Sequence, residues 1–433
     1  MPSGSLIKSV SAREVFSGRG HPGVEATVVT ANGGRGLAVA TAGLSVGEHE
    51  VNFVYDGGAR FAGHGVRTAV RNVNELFAPA LRGMDATQQR RIDAVLDEMD
   101  PTPEKSRLGG NATASTSAAV LKAAAASLGL PLYQHIGGVN ACVLPTPCVG
   151  AFGGCGRYGG GPAGSRTGDK PSQSFPLYGF DTFSEAAYAG WEIHRAFRRL
   201  LTERLGVGSE ASGYAGIAPG MVQHDRELWQ IMADAIEQAG CIGRAGIQID
   251  VAAGTYWDPE RQVFTGLFSK GDKTKDELIV LYRDLVRTLP VVILEDPLGE
   301  EDYEGHALLT RELGIQIVGD DLFTTNSRRL LQGIAVGGCN TMLLKVNQVG
   351  SITEAFDAVA LAPRSGHAVM PCASRGEGDD LADYVVGLGT GQCREGASGS
   401  MANRYLAIEA ELGARAEFLG KAGLKVDWSR IPW

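Results

Sequence analysis

The sequence has no CxxC pair, no run of about 18 uninterrupted apolar residues and no excess of basic charge. Each absence excludes a class of protein. The seven cysteines (Cys142, Cys148, Cys155, Cys241, Cys339, Cys372 and Cys393) are odd in number, which argues against a disulfide framework or a zinc cluster. They point instead to a reducing, cytoplasmic compartment. Without a long apolar run no membrane span is expected, and the first residues, MPSGSLIK, lack the apolar core of an export signal. A formal net charge of −9 sets the chain against nucleic acid, whose phosphates need a basic face. The 11 tyrosines and 5 tryptophans form no stripe on which bases could stack.

What remains is a globular composition, 44% hydrophobic and 21% charged, in a chain of 433 residues. That length suggests two domains. Residues 6–10 (LIKSV) and 24–29 (VEATVV) alternate as strands, with turn residues GRGHPG at 18–23 between them. Residues 69–76, 92–99 and 115–126 carry helical spacing. Strands followed by helices predict an α+β capping domain over residues 1–138, ending at Gly137-Gly138. The aperiodic, glycine-rich stretch 153–172 is long for a loop inside a compact domain, which makes it functional or disordered.

From residue 139 to 433, short apolar runs alternate with helical stretches. The runs are GIQID (246–250), VVILE (291–295), IQIVGD (315–320), TMLLK (341–345) and AVMPC (368–372). Continuous apolar strands between helices predict a parallel sheet covered on both faces. A closed (β/α)8 barrel fits the available length, with an open doubly wound sheet as the competing architecture; no GxGxxG follows the first strand.

Four runs end in an ionisable residue: Asp250, Glu295, Asp320 and Lys345, the last three spaced 25 residues apart. In a parallel barrel these ends converge on one mouth. Three carboxylates gathered there repel one another unless a cation neutralises them, and hard oxygen ligands favour Mg²⁺. A lysine beside a metal has its ammonium form disfavoured and can serve as a base. The plainer alternative, that each charge caps a strand or pairs with a loop, suits one residue better than four in register.

At this point the chain resembles the enolases nearly end to end. The matching segments are SGRGHPGVE (17–25), KSRLGGNA (105–112), LEDP (294–297), GDDLFTTN (319–326), LKVNQVG (344–350) and IEAELG (408–413). The resemblance implies an enolase-type (β/α)8 barrel behind an α+β cap, Asp250, Glu295 and Asp320 as Mg²⁺ ligands, and Lys345 as the base that takes the proton α to a carboxylate. It also implies a homodimer. The use of a lysine or histidine base with magnesium in this superfamily is itself a known pattern.

The departures from the family pattern shape the functional expectation. Where enolases carry Gln-Glu-Phe the chain has Gln173-Ser174-Phe175, and where they carry Gly-Asp-Glu-Gly-Gly-Phe-Ala-Pro it has residues 212–219, SGYAGIAP, with Tyr214 at the second acidic position. In the family that glutamate helps protonate departing hydroxide, and a phenol with a pKa near ~10 donates far less readily. A loop serine aligns with Ala42. A phosphate-binding arginine is absent or displaced to Arg375, a carboxylate-binding lysine becomes Arg394, and a loop histidine has Arg157 or Gly156 nearest.

Retained ligands and base argue against decay into a noncatalytic protein. They favour retained proton abstraction with a leaving group that departs as a stable anion. Ser174, Tyr214, Arg157, Arg375 and Arg394 are then the expected contacts of a small, anionic phospho- or phosphono-carboxylate. Within the family the pattern resembles carboxyphosphonoenolpyruvate synthase of phosphinothricin-type antibiotic biosynthesis. Ordinary enolase acting on 2-phosphoglycerate, a noncatalytic binding protein, and a superfamily racemase or sugar-acid dehydratase are the alternatives. His194 is read as a packed structural histidine rather than a ligand, and His49 as a residue beside the mobile loop rather than a substrate contact.

Overall fold

The computed structural model describes residues 3–17, 20–43, 46–154, 156–159, 170–208 and 213–432. Most of the glycine-rich stretch, Leu44 and Ser45 of the capping loop, Cys155 and Ser212 therefore lie outside the described residues.

The alternating segments near the start form β1 (Ile7–Phe16), β2 (Pro22–Thr30) and β3 (Arg35–Thr41), an antiparallel sheet in chain order. After a helical run at 67–81 come α1 (Gln89–Met99) and α2 (Gly110–Ser127). Helix α2 is built from Ala, Ser and Thr and is buried on nearly every side. Its small side chains let it lie directly on the sheet: a Cβ on Gly36 of β3 would sit 2.0 Å from the Ala119 carbonyl oxygen. Only glycine tolerates that approach.

The second region opens with β4 (Thr146–Gly153) and β5 (Ser172–Pro176), followed by α3 (Phe183–Leu205) and α4 (Arg226–Gln238). Strand and helix then alternate: β6 (Ile247–Asp250), α5 (Lys275–Thr288), β7 (Val291–Glu295), α6 (Tyr303–Leu313), β8 (Gln316–Gly319), α7 (Ser327–Val336), β9 (Thr341–Leu344), α8 (Ile352–Arg364), β10 (Ala368–Pro371), α9 (Leu381–Leu388), β11 (Gln392–Gly396) and α10 (Gly399–Leu412). The main strands run in the order β10-β9-β8-β7-β6-β5-β4-β11, with Ala215–Gly216 paired alongside β4. Helix starts carry the expected caps: Thr274 forms a capping box with Glu277, and Asn326 accepts from the backbone of Arg328 and Arg329.

Strands β7, β8 and β9 are buried at every position, because one face meets the helices and the other fills the barrel. Val292, Val318, Leu343 and Met370 belong to that inner cluster, whereas Ile317 and Leu344 join the outer core. One feature departs from the uniformly parallel barrel expected: β5 runs antiparallel to both β4 and β6. Its start, not its end, therefore lies at the mouth. Residues ahead of β5 are thereby placed beside the end of β6.

Candidate active site

Parallel pairing puts Glu295 opposite Asp250 in register, and Asp320 directly follows β8, the neighbour of β7. Lys345 follows β9, the next strand along. The four residues predicted from the strand ends thus share the mouth, and all are at most 2% exposed.

Their partners divide them into two groups. Asp250 and Glu295 are bridged by Arg394, which donates from Nη2 to Asp250 Oδ2 at 2.5 Å and from Nε to Glu295 Oε2 at 2.9 Å. Gln248 Nε2 also donates to Glu295 Oε2, at 3.0 Å. Lys170, just ahead of β5, pairs with Asp250 Oδ2 and lies 4.0 Å from Glu295 Oε1. Asp320 instead pairs with Lys345, whose Nζ donates to Oδ2, and accepts from Gln348 Nε2 at 3.1 Å on Oδ1.

The three expected ligands therefore do not meet at a point; the interleaved cations hold them in two clusters. Among the described residues, the acidic oxygens that lie within 4.8 Å of one another belong to Asp296, Asp320 and Asp321. Asp296 has another task. Its carboxylate accepts the backbone N–H groups of Asp320 at 3.0 Å and Asp321 at 2.8 Å, shaping the turn that presents Asp320.

Two oxygens test whether a divalent cation fits. Asp250 Oδ1 and Glu295 Oε1 are buried without a hydrogen-bond partner, which is costly for a carboxylate. Both face one strand pair and both are hard, anionic donors. Asp250 and Glu295 thus suit Mg²⁺ better than a softer metal, whereas both Asp320 oxygens are engaged by Lys345 and Gln348.

The charges set the protonation states. Burial pushes the Asp320 carboxyl up, but Lys345, Arg375 and Lys170 outweigh it and hold it down at about 2. Burial and the Arg375 charge push the Lys345 ammonium down, yet Asp320 and Glu50 prevail and leave it raised. The depressed amine expected from the sequence is therefore not a property of these side chains alone.

The expected substrate contacts fare unevenly. Arg394 and Tyr214 come together: the Tyr214 hydroxyl accepts from Arg394 Nη1 at 3.2 Å. Although Tyr214 is 43% exposed, desolvation of its hydroxyl pushes the phenol's pKa up, making it a weaker acid. Ser174 Oγ donates to Gln248 Oε1 at 3.2 Å, on the same face as the mouth carboxylates. Arg375 is 1% exposed and grips Glu50 of the capping loop with two donors, one of them Nε at 2.8 Å. Gln348 Nε2 also donates to Glu50 Oε1, at 3.1 Å, so the loop, Arg375 and Asp320 form one network. Gly43 passes so close over the Arg375 guanidinium that a Cβ there would overlap it. The loop histidine His49 reaches Glu301 at 2.6 Å, and His194 shares a bond with the Gly213 carbonyl at 3.1 Å, as a structural residue would.

Arg157 is placed apart from this cluster. Its Nη1 donates to Asp225 Oδ1 at 2.8 Å, both side chains are buried, and the Tyr158 hydroxyl donates to the same oxygen at 2.8 Å. It is a structural ion pair across the foot of the loop and offers no fork to a ligand. Asp225→Ala, which leaves Arg157 buried and uncompensated, is expected to cost about 3–5 kcal/mol in urea unfolding. A loss below about 1 kcal/mol, the range of an exposed pair, would contradict this placement.

Three residues at the mouth escaped the sequence reading: Lys170, Glu50 and Gln348. Gln348 lay inside a matching segment, LKVNQVG, but nothing in the sequence showed that it joins Asp320 to Glu50.

Comparison with known proteins supplies the family. Residues 7–136 match the model "Enolase, N-terminal domain" and residues 162–426 the model "Enolase, C-terminal TIM barrel domain". The chain belongs to the enolase family. Its relatives named "Enolase" include those of Methanopyrus kandleri (42% identical, covering 95% of this chain and 97% of that protein) and Pyrococcus furiosus (42%, covering 97% and 98%). That of Methanocaldococcus jannaschii is 39% identical over 94% of this chain and 96% of its own. These relatives carry the name enolase and not carboxyphosphonoenolpyruvate synthase, so the finer likeness drawn from the sequence gains nothing from them. Among the described residues no helix is long and apolar enough to cross a membrane.

Proposed function

We propose that this enolase-family lyase takes the proton α to a carboxylate with Lys345 and expels a β substituent that leaves as a stable anion, phosphate, to give an enolpyruvate. Asp250 and Glu295, joined by Asp320 once it parts from Lys345, would hold a divalent ion, Mg²⁺, whose charge would offset theirs and polarise the substrate carboxylate. Lys345 Nζ then accepts the C2 proton, the C2–H electron pair becomes the C2=C3 bond, and phosphate departs with the C3–O pair. The specific candidate is a 3-phosphoglycerate carrying a carboxyphosphono group, which this elimination turns into carboxyphosphonoenolpyruvate.

One observation carries the choice of leaving group. Around the end of β6 the wall is made of Ser172, Ser174, Tyr214, Lys170 and Arg394, which are hydroxyls and cations. Of the carboxylates there, Asp250 and Glu295 are already paired to cations and suited to the metal, and Glu395 accepts from Cys372 Sγ at 3.2 Å. Hydroxide needs a proton to depart; phosphate does not. Tyr214, with its phenol pushed up by desolvation, is a poor donor.

The second reading is dehydration of 2-phosphoglycerate. The names of the relatives support it better than they support the first. A pair of substrates separates them. With Mg²⁺, 2-phosphoglycerate and 2,3-bisphosphoglycerate both yield phosphoenolpyruvate and differ only in losing hydroxide or phosphate. The bisphosphate is expected to react at least about 10²-fold faster, the lower end of what a general acid supplies. Faster turnover of 2-phosphoglycerate would establish the second reading.

A further inference from the structure

The three acids at the mouth are matched by three cations, and two of those cations crowd one carboxylate oxygen. Asp250 Oδ2 alone receives Lys170 Nζ, Arg394 Nη2 at 2.5 Å and Ser172 Oγ at 3.3 Å, while Oδ1 of the same group and Glu295 Oε1 have no partner. Arg394 by itself bridges both acids, and its fork is fixed from two further sides, by Tyr214 and by Ser172 Oγ at 2.8 Å. Lys170 is tethered differently. Its backbone is anchored by the Tyr256 hydroxyl, which donates to its carbonyl at 2.8 Å, and its ammonium, on a flexible four-carbon stem, is held among the described residues by the acids alone. A divalent ion taken up by Asp250 and Glu295 would repel both cations, and Lys170, which lacks the Tyr214 and Ser172 contacts of Arg394, is the one able to move. Ser172, which shares Asp250 Oδ2 with Lys170, stands beside it in the wall assigned above to the β substituent. Asp250, Glu295 and Asp320 are matched one for one by Lys170, Arg394 and Lys345, so a divalent ion taken up there would add positive charge toward a multiply anionic substrate.

We propose that Lys170 is a substrate-contacting residue that holds the departing phosphate as its C3–O bond breaks. The assignment rests on the elimination proposed above and specifies which residue selects an anionic leaving group. It makes Lys170 and Lys345 a complementary pair, one for the anion that leaves and one for the proton.

Two readouts on the same samples test it: phosphate release from 2,3-bisphosphoglycerate, and exchange of the C2 hydrogen of 2-phosphoglycerate in D₂O, which needs the base and the metal but no departing group. Lys170→Met is expected to lower the ratio of elimination to exchange by about 10–100-fold, the worth of one charge-assisted hydrogen bond. Lys170→Arg, which keeps the charge, is expected to recover most of that ratio. Calorimetric binding of Mg²⁺ to Lys170→Met should be as tight as in wild type or tighter, since a competing cation is gone. An unchanged ratio overturns the assignment alone. Loss of exchange, elimination and Mg²⁺ binding in equal measure also overturns it, by showing that Lys170 only props the carboxylates. A wild-type protein that neither exchanges nor eliminates overturns the proposed function, and the assignment with it.

Discussion

Lys345→Ala is expected to lower turnover by about 10²–10⁴-fold with any substrate this protein accepts, because it removes the group that takes the proton. The lysine is 2% exposed and directed at Asp320, so no bulk-solvent base can stand in for it. The variant also leaves a buried carboxylate without its cation, although Gln348 still donates to Asp320. Lys345→Arg separates the two effects. It keeps a cation beside Asp320 and the fold intact, but a guanidinium does not give up its proton. Turnover should therefore fall about as far in Lys345→Arg as in Lys345→Ala, while unfolding midpoints differ. An active Lys345→Arg would show that the residue supplies charge and not basicity. Turnover unaffected by either substitution would remove Lys345 as the base, and a biological role that survives Lys345→Ala would leave the noncatalytic reading standing.

The second large effect concerns the metal. Chelation is expected to reduce turnover to background, and Mg²⁺ to restore it. Glu295→Gln should raise the Mg²⁺ concentration needed by more than the about 10–100-fold that changes around a metal's ligands already cost. The substitution removes an acidic oxygen that is buried without a hydrogen bond, Oε1, and leaves Arg394 and Lys170 with one acid between them. Binding should show in stability as well as in rate. A ligand at 100 times its Kd stabilises the folded state by about 2.7 kcal/mol, so wild type should gain thermal stability with Mg²⁺ where Glu295→Gln gains little. Equal gains in the two would remove Glu295 from the ligand set.

What the sequence made legible follows from periodicity. Strands β6 to β9 are short, mostly apolar and closed or followed by an ionisable residue, so a reading of runs and spacings places Asp250, Glu295, Asp320 and Lys345 together. Strand β5 shows why that method stops. Its sequence, SQSFP, is buried at all five positions, yet its mouth-facing residues Ser172 and Ser174 are polar because they serve the site. No hydrophobic run marks it, and nothing in the sequence reveals that it runs antiparallel. Lys170 escapes for the same reason, lying between an aperiodic stretch and an unmarked strand. Pairings across long separations are equally hidden. Arg375 carries a partner 325 residues away in Glu50, and Arg157 is claimed by Asp225, 68 residues on. An arginine reads the same in sequence whether it faces a ligand or a buried acid; only the fold tells Arg394 from Arg157.

Exchange of the C2 hydrogen of 2-phosphoglycerate with D₂O in the presence of Mg²⁺ isolates proton abstraction from everything that follows it. The wild-type protein should incorporate deuterium at C2 of unreacted substrate while forming little phosphoenolpyruvate, and Lys345→Ala should incorporate none. Deuterium that enters equally well without Lys345, or that never enters the wild-type reaction, would contradict a base poised at the barrel mouth.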